Sequence, residues 1–229
     1  MKIQVIIPTA GIGARLESDL PKPLVQLCGK PICAYVLDAF EKSPEIDSVI
    51  LVGHKEKLSE LKEIIRQYGF KKVAKVVAGG KTRCESVSNG LGVLDQDTDV
   101  VMVHDGARPL VSLQTIKDVV ALCQDWDAVV TAVAVKSTIK RVDKNNMLVE
   151  QTLNREGLWE IQTPQIFRVD VLVKAHKENK INSPTDDASM VEQMGIKVRI
   201  APGDYRNIKI TTQEDLEIAE TFLKSRGLS

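Results

Sequence analysis

The sequence predicts an α/β fold: a mostly parallel, twisted sheet with helices on both faces. Three observations predict it. Short apolar, β-branched runs alternate along the chain with segments whose apolar residues recur at helical spacing. Some runs, such as Val100-Val101-Met102-Val103, are apolar throughout, as strands covered on both faces are. Three of the runs end in turns suited to ligands: the Gly11/Gly13 loop, the Gly79/Gly80 turn and Asp105. In open sheets of this kind ligands bind outside the carboxyl ends of the strands.

Composition sets bounds. The chain has 229 residues, enough for a single α/β domain spanning 1–229. Its 31 basic and 31 acidic side chains cancel, which argues against nucleic acid or an anionic membrane as a main partner. No apolar run is long enough to span a bilayer, and the first residues lack a signal peptide's apolar core. Cys28, Cys33, Cys84 and Cys123 have no zinc-ligand or C-x-x-C spacing and read as small hydrophobes in a reducing, cytoplasmic protein.

Taken in order, Lys2 to Ile7 is a buried strand stopped by Pro8. Leu24 to Leu27 is extended, and Pro31 opens a helix marked by Ile32, Tyr35, Val36, Ala39 and Phe40. Ser48–Val52 and Val73–Val77 are strands around a helix carrying Leu58, Leu61, Ile64 and Ile65. Thr82 and Glu85 form a capping-box pattern before a helix through Val87, Leu91 and Leu94. Val100–Val103 is a strand, Ser112 caps a helix, and Ala128–Val135 is a strand. Residues 136–155 read as a β-hairpin too small for its own core, so a second subunit is its expected packing partner; folding back on its own domain is the alternative. Beyond it come an extended segment (Ile161–Phe167), a helix (Val169–Lys177), a helix opened by Ser183 to Asp187 and running through Val191 and Met194, strands at Lys197–Ala201 and Asn207–Ile210, and a final helix capped by Thr212.

Pro8 to Pro23 carries two glycines flanked by Arg15 and Lys22, a pattern suited to a polyphosphate, although an ordinary strand-to-helix turn fits the spacing too. Leu16 stands where a dinucleotide fingerprint needs its third glycine, and the P-loop's Gly-Lys-Ser/Thr is missing. Asp105, at a strand end, could hold Mg²⁺ against phosphate oxygens, or be a turn aspartate satisfied by backbone N–H groups. Arg15, Lys22, Arg155 and Lys209 are the cations expected around phosphates; Arg108 is read as pairing with a nearby carboxylate or carbonyl. No nucleophile–base pair stands out among the scattered His54, His104 and His176, and His104 reads as a hydrogen-bonded structural residue. Phosphoryl-type chemistry tolerates that, since a phosphate monoester with a second pKa of about 6 is already an anion.

Six further segments complete a pattern: A-G-G-x-x-R-x-x-S-V from Ala78, V-H-D-G-A-R-P from Val103, N-R-x-G-L-W from Asn154, T-P-Q-x-F from Thr163, T-D-D-A-S from Thr185 and N-I-K-I-T from Asn207. With the first loop they resemble, in order and over nearly the whole chain, the 2-C-methyl-D-erythritol 4-phosphate cytidylyltransferase family. The resemblance implies a Rossmann-like nucleotidyltransferase fold with a protruding β-hairpin arm at 136–155 that forms a homodimer. It implies transfer of a cytidylyl group from CTP to methylerythritol phosphate, with Mg²⁺ as cofactor and Asp105 as its ligand or as a contact to the nucleotide sugar. By position, Thr9, Ala10, Gly11 and Gly13 would wrap the nucleotide, Gly80 and Ser86 would read cytosine, and Arg15 and Lys22 would stabilise developing charge. Lys209 would lie near both phosphates, Thr138 and Arg155 would reach the neighbouring subunit's substrate, and Thr185 would contact substrate hydroxyls. Thr9, Ala14, Pro23, Lys81 and Asn154 depart from the commonest pattern. A ribitol 5-phosphate cytidylyltransferase and a non-catalytic nucleotide-binding protein on the same fold are the alternatives.

Overall fold

The computed structural model describes residues 1–11, 21–181 and 184–225. The chain runs β1 (Ile3–Thr9), β2 (Gln26–Leu27), β3 (Lys30–Pro31), α1 (Ile32–Lys42), β4 (Ser48–Gly53), α2 (Leu58–Tyr68), β5 (Val73–Ala78), α3 (Arg83–Leu91), β6 (Val100–Val103), α4 (Leu113–Leu122), β7 (Ala128–Ala134), β8 (Ile139–Asp143), β9 (Leu148–Leu153), β10 (Trp159–Arg168), α5 (Val169–Glu178), α6 (Ala188–Gln193), β11 (Arg199–Pro202) and α7 (Gln213–Ser225). Seven strands make one sheet in the order β11-β7-β10-β6-β1-β4-β5. Every neighbouring pair is parallel except those of β10, which is antiparallel to both β6 and β7.

Alternation along the strands builds two cores. Ile3, Val5 and Ile7 of β1, with Val49 and Leu51 of β4 and Met102 of β6, meet Val36, Leu37 and Phe40 of α1 and Ile116 and Val119 of α4. On the opposite face Ile6, Ile50, Val52, Val101 and Val103 meet Val87 of α3, Leu172 of α5 and Val191 of α6. A smaller cluster joins Leu27, Ile32, Leu110 and Ile210 to Leu216, Ala219 and Leu223 of α7. These eleven central-strand positions alternate because successive strand residues point to opposite faces.

Three expectations are corrected. Asn207–Ile210 is not a strand: the segment is tied by Ile210 N to Ala107 O at 2.8 Å and by the Arg108 guanidinium to Asn207 O at 2.7 Å, a side-chain anchor in place of a ladder. The helix expected from Ser183 starts only at Ala188; Asp186 Oδ1 accepts from Ser189 N at 3.0 Å, so Thr185 to Asp187 act as its cap. Ser183 itself lies outside the described residues. Helix α3 stops at Leu91, short of Leu94, with Gly92 N bonded back to Ser88 O at 3.0 Å. The hairpin does form, as antiparallel β8 and β9, with Met147, Leu148 and Val149 exposed near its turn. Among the described residues no helix is long and apolar enough to cross a membrane.

One glycine fixes how closely α3 rides on the sheet. A Cβ on Gly90 would stand 2.6 Å from Ile6 Cγ2 in the packed core. Gly90→Val is therefore expected to lower the unfolding free energy by about 2 kcal/mol, the usual scale of core overpacking, read as a fall in the urea midpoint at unchanged m-value.

Candidate active site at the strand ends

The carboxyl ends of β1, β5 and β6 converge on one pocket. It is lined by Pro8 to Gly11, Lys22, Pro23, Gly80 to Arg83, Ser86, Asp105 to Ala107 and Lys209. Thr9, Ala10, Gly11, Lys22, Gly80, Ser86, Asp105 and Lys209, all named from the sequence, are thus brought together. Gly13 and Arg15 lie outside the described residues. Among the described residues Lys22, Lys81, Arg83 and Lys209 line the pocket with one carboxylate, Asp105, a balance that favours anions.

Local sequence shapes each wall. Thr9 Oγ1 donates to Val52 O at 2.9 Å and ties the end of β1 to β4. After β5 the Gly79–Gly80 turn passes so close to the β1 loop that a Cβ on Gly79 would be 2.5 Å from Ala10 Cβ. Thr82 caps α3 by accepting from Glu85 N at 3.1 Å; the Glu85 carboxylate reaches back to Lys81 N at 2.6 Å, one residue earlier than a standard capping box. Ser86 Oγ accepts from Gly80 N at 3.2 Å and donates to Thr82 O at 2.9 Å. Its proton is committed, so toward a ligand it can only accept.

Asp105 is the electrostatic centre. Its Oδ1 pairs with Arg83 Nε at 2.9 Å and its Oδ2 with Lys209 Nζ at 2.7 Å, while Arg108 Nε stands 3.9 Å from Oδ2. Burial pushes this carboxyl's pKa up, but Arg83 and Lys209 outweigh burial and hold it well below the usual range. Arg83 also pairs with the fully buried Asp187, Nη1 to Oδ2 at 2.7 Å. Burial alone would lower the Arg83 pKa; Asp187 and Asp105 raise it instead. Asp105 N donates to Thr163 Oγ1 at 3.0 Å, which links β6 to β10 directly behind the site.

A second pocket adjoins the first, sharing Arg83, Asp105 and Lys209 and adding Arg108, Thr163, Gln165, Thr185, Asp186 and Ser189. Thr185 and Lys209 line this pocket together. Thr138 and Arg155 line neither pocket; Thr138 is exposed and the Arg155 guanidinium donates to Lys136 O. Arg108 is the structural pair that its sequence context suggested, donating to Asn207 O and Ile161 O. Sequence reasoning missed Arg83 and Asp187 as site residues. The arginine of A-G-G-x-x-R was visible as a motif letter, but its aim is fixed by a residue 104 positions away.

With this geometry in place, the comparisons with known proteins are decisive. The sequence profile described as IspD, 2-C-methyl-D-erythritol 4-phosphate cytidylyltransferase, matches residues 3–225. The chain belongs to this family. A curated relative of that name from Alkaliphilus oremlandii is 43% identical over 228 residues, 98% of this chain and 96% of the relative. The crystal structure of 4-diphosphocytidyl-2C-methyl-D-erythritol synthase from Anaerococcus prevotii superposes with a TM-score of 0.85 at 32% identity, covering 97% of this chain and 98% of that one. The Francisella tularensis 2-C-methyl-D-erythritol 4-phosphate cytidylyltransferase gives 0.80 at 35% identity, covering 96% and 99%. The Rossmann-like nucleotidyltransferase fold expected from the resemblance is thereby shown.

His104 adjoins the site without entering its chemistry. It is fully buried, with Nε2 3.1 Å from Arg108 O and Nδ1 3.2 Å from Thr163 Oγ1. Burial lowers its pKa from 6.5 to about 4, so it is neutral at pH 7. The unfolded chain then binds a proton between pH 6.5 and 4 that the folded chain refuses, and stability falls as pH drops through that window. The full cost is about 3 kcal/mol at about 1.4 kcal/mol per pKa unit. Urea midpoints across pH 7 to 4.5 should show this decline in the wild type and a flatter profile in His104→Gln.

Proposed function

We infer that this chain transfers a cytidylyl group from CTP to 2-C-methyl-D-erythritol 4-phosphate, releasing pyrophosphate. Family membership over residues 3–225 supports the reaction. The observation that carries it to these residues is the convergence of Lys22, Lys209 and Arg83 on one strand-end pocket around Asp105. The substrate phosphate attacks the α-phosphorus of CTP, a new phosphoanhydride bond forms, and the α–β bond breaks with pyrophosphate as leaving group. No protein base is required, because a phosphate monoester is largely ionised near neutral pH. Catalysis then rests on positioning and on charge stabilisation.

The roles follow from where the residues sit. Thr9, Ala10 and Gly11 hold the nucleotide against β1; Gly13 and Arg15 lie outside the described residues, and their nucleotide-wrapping and charge-stabilising roles rest on the family resemblance. The Gly80 turn and Ser86 read the base: the accept-only hydroxyl of Ser86 favours cytosine's exocyclic amine and disfavours the carbonyl that uracil presents there. Lys22 faces the charge that develops on the α-phosphate and the leaving pyrophosphate. Lys209 leaves Oδ2 of Asp105 for the incoming phosphate, and Thr185 contacts the substrate's hydroxyls.

Mg²⁺ fits this site in one manner. Among the described residues no group of three His, Cys, Asp or Glu side chains could form an all-protein cage. The ionised Asp105 at the pocket suits a Mg²⁺ that takes one or two carboxylates and the substrate's phosphate oxygens. Bound there, the ion would neutralise and orient the phosphates.

The reading extends to a homodimer acting in the cytoplasm. The β8–β9 hairpin exposes Met147, Leu148 and Val149, and an apolar groove elsewhere, lined by Trp126, Trp159, Ile200 and Tyr205, needs covering. An arm reaching a second subunit explains why Thr138 and Arg155 line neither pocket of their own chain, since their substrate contacts are made across the interface.

Three measurements test these assignments. Pyrophosphate release with CTP and Mg²⁺ is expected with methylerythritol phosphate and not with ribitol 5-phosphate; the reverse preference overturns the substrate, and release with neither supports a non-catalytic protein. Lys22→Ala should lower kcat about 10²- to 10³-fold while leaving the KM for CTP within a few fold, because its contact is made in the transition state. Sedimentation should give a dimer that Leu148→Asp dissociates, with Arg155→Ala raising the KM for the polyol phosphate and not for CTP.

A further inference from the structure

A chain of buried and partly buried partners runs from the Arg83–Asp105 pair away from the pocket and ends on α5. Arg83 Nη1 meets Asp187 Oδ2 at 2.7 Å, and the other oxygen of Asp187 meets His176 Nε2 at 3.0 Å. The Asp187 side chain is 0% exposed and that of His176 5%. On the far side of the ring, Cys84 Sγ lies 3.9 Å from His176 Nδ1. Asp187 accepts only, so Nε2 carries the proton; Nδ1 then accepts the weak S–H donor of Cys84, and both ring nitrogens have a partner. Neither proposed substrate pocket is lined by His176, Asp187 or Cys84.

We propose that His176 is a positioning residue for cytidylyl transfer: through Asp187 it holds Arg83 on Asp105 and so frees Lys209 for the substrate phosphate. This rests on the function inferred above. Arg83 lies between two carboxylates that compete for it. Asp187 is buried, and burial raises its pKa; Arg83 and His176 outweigh that and keep it ionised. While His176 satisfies one oxygen of Asp187, Arg83 need satisfy only the other and keeps its Nε on Asp105 Oδ1. Without the imidazole, a buried carboxylate is left short of a donor, at a cost comparable to an unmade hydrogen bond to a charged group. Arg83 then shifts toward Asp187. Asp105 loses its inner cation and holds Lys209 more tightly, because Lys209 is the remaining close partner of that carboxylate. The residue most affected is thus the lysine that has to reach the incoming phosphate, while the nucleotide-facing turn at Gly80 and Ser86 keeps its own hydrogen bonds.

The test uses the full-length enzyme and two variants of one position. His176→Phe keeps the ring volume and removes the donor; His176→Gln offers an amide N–H near Nε2. The expected result is a rise of about 10-fold or more in KM for methylerythritol phosphate in His176→Phe, with the KM for CTP within 2-fold, and recovery of most of that loss in His176→Gln. A merely structural role predicts equal losses for both substrates, tracking the fall in thermal midpoint, and no rescue by Gln; either pattern overturns the proposal, as does wild-type behaviour of His176→Phe. A second readout does not depend on turnover. The Arg83 Nε–H resonance, assigned by its loss in Arg83→Lys, should be dispersed and slow to exchange in the wild type and His176→Gln, and collapse toward the solvent-averaged arginine position in His176→Phe. An unchanged resonance in His176→Phe refutes the relay, whatever substrate the enzyme uses. Absence of turnover by the wild type with methylerythritol phosphate refutes the substrate reading instead.

Discussion

A buried carboxylate is tolerated only where cations and hydrogen bonds offset its desolvation, and Asp105 is built around that constraint. It follows a fully buried strand, β6, and its oxygens are shared among Arg83, Lys209 and, at longer range, Arg108. These three cations arrive from α3, from the segment before α7 and from the turn after β6 itself. Removing the carboxylate would leave the Arg83 and Arg108 guanidinium groups and the exposed Lys209 ammonium near one another without their shared counter-charge. The same interaction therefore holds the layers together at one end of the sheet and supplies the positive field of the pocket.

Function then follows from an imbalance. Among the pocket-lining residues described, four cations face one carboxylate, an excess that suits a polyphosphate. Arg83 is committed to Asp105 and Asp187, whereas the Lys209 side chain is 41% exposed and can move. In the proposed reaction an arginine held by two carboxylates and an exposed lysine on one of them would divide the work: the first keeps Asp105 ionised and aimed, and the second would serve the incoming phosphate. Arginine suits the fixed place because its planar fork serves two carboxylates at once, which an ammonium does less well.

The fold was legible because its signals are local and periodic. Strand positions that alternate between the two cores, the Thr82 and Ser112 caps and the strand-end glycines each depend on residues a few positions apart. The exceptions are instructive. Ile208 and Ile210 look like strand residues, yet that segment is anchored by the Arg108 side chain and by one backbone bond to Ala107, a choice made by a partner a hundred residues away. Strand β10 lies antiparallel between two parallel strands, and nothing within Ile161 to Phe167 encodes its direction.

For the site, the sequence alone determined which residue types gather at the strand ends: glycines where backbone must approach a ligand, hydroxyls that cap, and Lys22, Asp105 and Lys209 in motifs specific enough to name a family. Only the tertiary structure decided how charge is distributed among them. Arg83 and Asp187 stand 104 positions apart and meet only after α3 and α6 dock on the same face of the sheet. His176 reaches Asp187 the same way, from α5 packed beside them. A hydrogen-bond partner chosen by packing leaves no spacing in the sequence, because the distance that matters is set by the sheet and not by the chain.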